Sequence, residues 1–472
     1  MRFLSFTFVS LLLFSCASEA EKATDVDKLT LDPEAFVDEF LVMPQGDTVK
    51  YHAYRDIFYI TKVEDSTYQT LNIFVPENVR ENSPVLLRTY IGGYMASKAR
   101  SPHPYDATGL ALKEGLVVCI PGSRGINSTM VSSEGKEVYI GICPNGLLDL
   151  KAAVRYLRHN AKNLPCNMDR IFADGTSAGG AMVALLGATG NARRFQRPLV
   201  EMGAAKEMDD IFAVIAYCPI TDLNHADMEY EWLYGCTNDN VRHLDKQQLA
   251  VSDQLAALCP AYINSLELRD LQGKVINAGN YREYLKKFLI ASAQRAIDEG
   301  VKIPANIGVE IIRDNVISFD LDRYLKYIVE ERPLKTPPAF DSWGVLHKGA
   351  SPENKLFGDS LGEPANFTEF SLRKHLDDPE ATLSENMDLR NRMMNPMGFI
   401  GTYHSNVAQY WYIRHGAKDR DTSFLVPLNL ATLLRNQNYD VDFFIPWGRS
   451  HSGDYNLGDL FEWINTVNEK AK

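Results

Sequence analysis

The residues that could do chemistry begin with Gly175-Thr176-Ser177-Ala178-Gly179, a Gly-x-Ser-x-Gly string that follows an apolar run at 170–174 and precedes a helical stretch from 181. A serine hydroxyl is a poor nucleophile near neutral pH unless a base takes its proton and a carboxylate holds that base in one tautomer. A strand, a tight turn and a helix present such a serine at the edge of a sheet, and the flanking glycines have no Cβ to clash in the turn. The spacing therefore predicts Ser177 as a nucleophile; the plainer alternative is a Gly-rich turn with an exposed serine.

A serine on such an elbow needs its acid and its base from loops beyond later strands, in the chain order Ser, acid, His. Of the ten histidines, His451 sits in a polar loop just after the apolar run 441–446, the place expected for the base. His415 ends the preceding strand, where the acid is expected instead. The acid must come from His415-Gly416-Ala417-Lys418-Asp419-Arg420-Asp421, in which Asp419 and Asp421 are equivalent by spacing; each has the alternative of capping the helix that follows. The oxyanion of a tetrahedral intermediate needs two backbone donors. Ala178 N–H, next to the nucleophile, is one, and Gly92-Gly93 after the run 85–87 places Gly93 N–H as the other; a plain turn is the alternative.

The elements that must hold these groups can be read from periodicity. Runs at 71–76, 85–91, 116–121, 170–174, 211–220, 410–414 and 441–446 read as strands, and 147–160, 181–187, 424–437 and 457–467 as helices. Strand and helix alternate, which predicts an α/β fold with a doubly wound, mostly parallel sheet. Residues 224–399 change texture: helices at 244–268, 281–300 and 321–331 and a hairpin at 309–319 are expected there. That stretch is too long for a structureless loop. The division expected is a core of 31–223 and 400–472 interrupted by a lid or cap of 224–399.

Residues 3–14 are largely apolar and too few to span a bilayer, and 1–15 reads as a signal peptide. Leu13-Phe14-Ser15-Cys16 resembles the lipobox of bacterial lipoproteins, which predicts lipidation of Cys16, a tether over 16–30 and an exported protein held on a bacterial membrane only by that anchor. Cleavage after a small residue such as Ala17 is the alternative. The remaining six of seven cysteines have no spacing suited to a structural metal, so no metal and no cofactor are expected; Cys119 and Cys218 read as buried strand cysteines. With 49 Lys and Arg against 61 Asp and Glu, a net charge of −12, and no basic run, a nucleic-acid partner is not expected. Oligomeric state is not legible.

Several strings in one order carry a resemblance: Gly175 to Ala181, Asp210-Ile211-Phe212-Ala213-Val214, His225-Ala226-Asp227-Met228, Ser351-Pro352-Glu353-Asn354, Arg414-His415-Gly416, Arg420-Asp421-Thr422 and His451-Ser452-Gly453-Asp454-Tyr455. The chain resembles the bacterial subtype B tannases, tannin acyl hydrolases of the α/β-hydrolase superfamily. The resemblance implies an α/β-hydrolase core with a large, mainly helical lid and a galloyl esterase activity. It implies Ser177, His451 and Asp419 as the triad. It also implies Asp421, Lys335 and Glu353 as groups that face the phenolic hydroxyls of the substrate. Between Lys335 and Glu353 the chain is longer than in the family, so Trp343, Leu346 and His347 are expected to reshape the pocket. Two other functions fit the same pieces: a feruloyl or other aryl carboxylesterase of the same mechanism, and a noncatalytic surface lipoprotein that binds polyphenols or glycans.

Overall fold

The structure is a computed structural model that describes residues 28–238, 241–343 and 350–470. The leader and Cys16 lie outside the described residues. Thirteen strands are described: β1 (Val37–Val42), β2 (Thr48–Phe58), β3 (Thr70–Pro76), β4 (Val85–Arg88), β5 (Val117–Pro121), β6 (Thr129–Val131), β7 (Glu137–Tyr139), β8 (Ile171–Thr176), β9 (Ala213–Tyr217), β10 (Val309–Ile312), β11 (Asn315–Phe319), β12 (Tyr410–Arg414) and β13 (Asp440–Phe444). Nine form one sheet in the order β1-β2-β3-β5-β4-β8-β9-β12-β13. From β5 to β13 every pairing is parallel, and β1, β2 and β3 add an antiparallel edge.

The parallel strands are buried on both faces, which is why they read as unbroken apolar runs rather than as alternation. The pleat still sorts their side chains. Leu86, Phe172, Ile215 and Tyr217 join helices Ala107–Lys113 and Leu457–Lys470 on one face. Leu87, Ala173, Val214 and Ala216 join helices Asn145–His159, Ala178–Ala188 and Leu425–Asn436 on the other. The expected alternation of strand and helix is thus observed. β1, β2 and the small β6-β7 hairpin were not legible, because their residues are largely exposed and mixed in polarity.

Between β9 and β12 the chain supplies helices Leu223–Tyr234, Lys246–Ser265, Tyr281–Asp298 and Leu321–Glu331, three shorter helices and the β10-β11 hairpin, none of which joins the large sheet. The position 224, expected as the start of the insertion, falls inside helix Leu223–Tyr234. The inserted helices share one apolar cluster with the core: Tyr230, Tyr281, Leu285, Leu325 and Ile328 belong to the same packing as Leu428 and Leu430. Trp343 is buried with Val251 and Leu255 inside the insertion, and Leu346 and His347 lie outside the described residues.

Two boundaries shift for reasons that bear on the site. β9 stops at Tyr217 because Cys218 turns to φ +46° and Pro219 has no N–H to pair, so Cys218 is buried just past the strand rather than within it. The helix expected from 181 begins at Ala178, directly after the serine.

Candidate active site

Ser177 occupies the turn between β8 and helix Ala178–Ala188 with φ 62° and ψ −126°, a conformation that costs a non-glycine residue energy and persists only where its surroundings enforce it. Its N–H donates to Tyr217 O at 2.9 Å and its carbonyl accepts from Ala181 N–H at 2.9 Å, so both flanks of the elbow are pinned. Gly175 is required by close approach: a Cβ there would stand 2.4 Å from Gly179 O. Gly179 N–H donates to Ile91 O at 3.0 Å, which ties the Gly92-Gly93 loop after β4 to the same turn. Gly93 itself has φ +55°. Ala178 is the first residue of its helix, where backbone N–H groups have no intrahelical acceptor.

His451 lies in the loop between β13 and helix Leu457–Lys470, and its Nε2 is 2.7 Å from Ser177 Oγ. Its Nδ1 is 2.8 Å from Asp419 Oδ2. The structure thus brings together three of the residues expected from the sequence, from loops beyond β8, β12 and β13. It also distinguishes the two aspartates: Asp419 is fully buried on the imidazole, whereas Asp421 donates its backbone N–H to Asp419 Oδ1 at 2.9 Å and pairs its own carboxylate with Arg332. Neither caps the following helix, whose N-cap is Phe424 with no side-chain bond.

The acid and base loops are locked to each other by backbone. Ala417 N–H donates to Pro446 O at 3.0 Å and Lys418 N–H to Arg449 O at 2.8 Å. Gly416 has room for no side chain, since a Cβ would meet Arg449 O at 2.4 Å. From the insertion, three buried tyrosines hold the acid loop by its carbonyls: Tyr324 Oη on Ala417 at 2.7 Å, Tyr234 on Asp419 at 2.9 Å and Tyr230 on Arg420 at 2.6 Å. The sequence does not single them out, because each bonds a carbonyl remote in the chain and no local spacing marks it.

Burial alone would raise the Asp419 carboxyl, but the charges of His415 and His451 and the bond from His451 hold it well below the usual carboxylate range. Burial pushes the His451 imidazole down, and Asp419, through charge and hydrogen bond, more than offsets this and leaves it raised. His415, fully buried 3.6 Å from Asp419 Oδ2, is pushed down to about 4 by desolvation and is neutral at pH 7.

Beyond the triad, Lys335 places its Nζ 4.1 Å from the centre of the Phe340 ring and is close enough for its charge to act on both His451 and Glu353. Glu353, 5% exposed, has its carboxyl raised by burial against the opposing effect of Lys335. The backbone at Lys335 is fixed by its N–H to Tyr230 Oη at 3.2 Å and its carbonyl to Arg242 Nη2. Asp421 is partly exposed and carries an ion pair that the sequence did not suggest, Arg332 Nη1 and Nη2 at 3.3 and 3.2 Å.

Two groups of potential metal ligands occur among the described residues, Cys218 with His415 and Asp419, and Asp419 with Asp421 and His451, with ligand atoms within 4.8 Å of one another. Both depend on Asp419, whose two oxygens are already engaged by His451 and by Asp421 N–H, and burial raises the Cys218 thiol far from its thiolate. A cleft of about 1580 Å³ opens elsewhere, between helix Arg193–Glu201 and residues 367–404, and holds no member of the triad. Geometry rather than cleft size therefore marks the reactive centre.

Known esterases are similar to this chain. The BD-FAE family pattern matches residues 71–265. Two curated esterases are similar over part of their length: para-nitrobenzyl esterase of Bacillus subtilis (strain 168), 31% identical over 31% of this chain and 29% of that one, and fumonisin B1 esterase of Sphingopyxis macrogoltabida, 32% identical over 26% and 23%. The chain thus spans less than a third of the length of the curated relatives it matches. Solved structures match far more completely. The tannin acyl hydrolase from Lactobacillus plantarum superposes with a TM-score of 0.85 at 37% identity, over 93% of this chain and 99% of that one; a structure of a tannin acyl hydrolase in complex with ethyl gallate matches equally well. The Fusobacterium nucleatum tannase superposes with a TM-score of 0.84 at 36% identity, over 93% and 99%. With that identity sustained over almost the whole of each chain, this protein belongs to the bacterial tannases of the α/β-hydrolase superfamily.

Proposed function

We propose that the protein is a serine esterase that hydrolyses galloyl and related phenolic esters through an acyl-enzyme. The observation that carries the reading is the unbroken line from Ser177 Oγ to His451 Nε2 at 2.7 Å and from His451 Nδ1 to Asp419 Oδ2 at 2.8 Å. In this reading His451 takes the Ser177 proton as Oγ attacks the ester carbonyl, then gives it to the departing alcohol oxygen as the C–O bond breaks. Water repeats the sequence on the acyl-enzyme and releases the acid. Ala178 N–H and Gly93 N–H face the oxyanion. Asp419, ionised throughout, fixes the tautomer that leaves Nε2 free to accept.

Asp421, Lys335 and Glu353 read the phenolic hydroxyls. A carboxylate accepts from an acidic phenol O–H, an ammonium donates to a phenol oxygen, and such charge-assisted bonds discriminate against rings that lack the hydroxyls. The tannase relative solved with ethyl gallate supports this substrate class. The Arg332 pair on Asp421 favours a second reading, a broader aryl carboxylesterase, because a carboxylate already paired selects less strictly for hydroxyls.

A fluorophosphonate probe tests the nucleophile: it should label the folded protein and fail to label Ser177→Ala, and failure to label the wild-type chain would sink both esterase readings. Methyl gallate beside methyl ferulate separates those two, with gallate expected to turn over faster. The base must be neutral to work and its pKa is raised, so kcat/KM should fall as pH falls through a value above the ordinary 6.5 of histidine.

We also infer from the leader sequence that the protein is exported and anchored through lipid on Cys16. Metabolic labelling with an alkyne fatty acid should mark the protein and should be lost in Cys16→Ser.

A further inference from the structure

We propose that His415 is a positioning residue for the reaction: its neutral imidazole directs Nδ1–H at the Asp419 carboxylate and so fixes the rotamer from which that carboxylate orients His451. This rests on the reading of Asp419 as the orienting acid. His415 directly follows β12 and its backbone is fixed by N–H donation to Phe444 O at 3.3 Å. Its side chain is fully buried, the ring of Phe424 packs edge-on at 4.9 Å, and neither ring nitrogen has a hydrogen-bond partner. A buried, unpaired ring N–H costs about 1–3 kcal/mol and is uncommon in folded proteins, so its retention calls for a reason.

The reason lies 3.6 Å away. Asp419 Oδ2, the oxygen that meets His451 Nδ1 at 2.8 Å, is the acceptor within reach of His415 Nδ1. A movement of about half an ångström closes this gap to a hydrogen bond. That bond would hold the carboxylate still while His451 takes up and returns its proton. Neutrality matters here. A cation at 415 would compete with His451 for the Asp419 charge, whereas a neutral N–H dipole orients the carboxylate and leaves the charge to His451. Desolvation keeps His415 neutral at working pH. The titratable groups that act on this pair are Asp421, His451, Cys218, Tyr234 and Tyr455, with Lys335 acting on His451.

The test compares His415→Phe, which keeps the ring volume and removes both nitrogens, with His415→Asn, whose amide can place an N–H near the position of Nδ1. Hydrolysis of a simple aryl acetate is followed against pH, so the readout does not depend on galloyl selection. His415→Phe should lower kcat about 10- to 100-fold with KM unchanged. It should also raise the acid limb of kcat/KM by about half a unit, because removing the positive end of a dipole beside Asp419 makes His451 hold its proton more tightly. His415→Asn should recover most of kcat and the original limb. Wild-type kinetics in His415→Phe, or equal losses in both variants, would overturn the proposal. Should His415→Phe not fold, ¹⁵N NMR of the wild-type chain, with the resonance assigned by its loss in His415→Asn, decides the matter. A neutral ring protonated on Nδ1 at pH 7 supports the proposal, and a proton on Nε2 refutes it. An inactive wild-type enzyme that no probe labels would refute the esterase reading instead, so the two failures are distinguishable.

Discussion

Asp174 and Asp419 are fully buried carboxylates at the carboxyl ends of strands in one sheet, and the protein drives them in opposite directions. Asp174 sits in β8 as the register partner of Arg88, whose guanidinium also bonds Asp454 at 2.5 Å. One cation between two carboxylates cannot offset the burial of both, and Asp174 is raised to about 7. Asp419 shares its surroundings with two imidazoles and a backbone N–H and is held far below the usual range. The difference teaches that burial alone does not set a carboxylate's charge; the ratio of donors to competing anions does. The first cluster ties the loop of His451 to the sheet through Asp454, three residues after His451, and the second joins Asp419 through His451 to Ser177.

The sharpest way to break this comparison is Asp419→Asn. It preserves shape but favours the wrong tautomer of His451, and kcat should fall about 10⁴-fold on every ester. A comparable loss in Asp174→Asn would erase the distinction between the clusters. Next in size, Arg88→Met strands two carboxylates, one of them fully buried, and should cost about 3–5 kcal/mol in urea unfolding. Its kcat should fall far less than that of Asp419→Asn, because the loops at 415–421 and 446–451 still hold each other.

Asp421→Asn sharpens the comparison within the acid loop itself. It should lower kcat/KM for galloyl esters about 10- to 100-fold and leave a simple aryl acetate nearly untouched. Equal losses on both would refute the division of labour between Asp419 and Asp421.

The smallest effect is one of pH. The folded state keeps a proton on Asp174 that the unfolded chain releases near 4, so stability from this group falls as pH rises from about 4 to 7. Asp419 has the opposite sign: its contribution is present above the unfolded value and is lost on acidification. Relative to Asp174→Asn, the wild-type thermal midpoint should therefore drop by roughly 2–4 °C between pH 4 and 7. A flat difference would show that Arg88 keeps Asp174 ionised.

Much of the architecture was legible because its signals are local. Strands β3, β4, β5, β8, β12 and β13 are short apolar runs bounded by turns, and the β10-β11 hairpin forms within 309–319 as expected, its turn at Arg313-Asp314, one residue before the Asp314-Asn315 that the sequence suggests. The exposed edge β1-β2 and the short helices Pro352–Leu356, Glu369–Leu376 and Glu385–Met393 were not legible, since neither carries an apolar period long enough to count. In the site, Ser177 and His451 could be found by motif and by order along the chain. Arg332, the three tyrosines on the acid loop and His415 could not, because each acts on a residue remote in sequence or reads as ordinary core.

By itself, then, the sequence determined the elbow, the order of nucleophile, acid and base, and the alternation that builds a parallel sheet, because tight turns, apolar periods and chain order are properties of neighbouring residues. Spacing left open which of two aspartates, identical in type and two residues apart, meets the imidazole; the resemblance implied Asp419, and the tertiary structure buries Asp419 on the ring and pairs Asp421 with Arg332. It also decided that one buried histidine, His415, is pushed down in pKa while another, His451, is raised between Asp419 and Ser177. Charge state and hydrogen-bond direction depend on desolvation and on partners brought together from distant strands, and neither is written in local spacing.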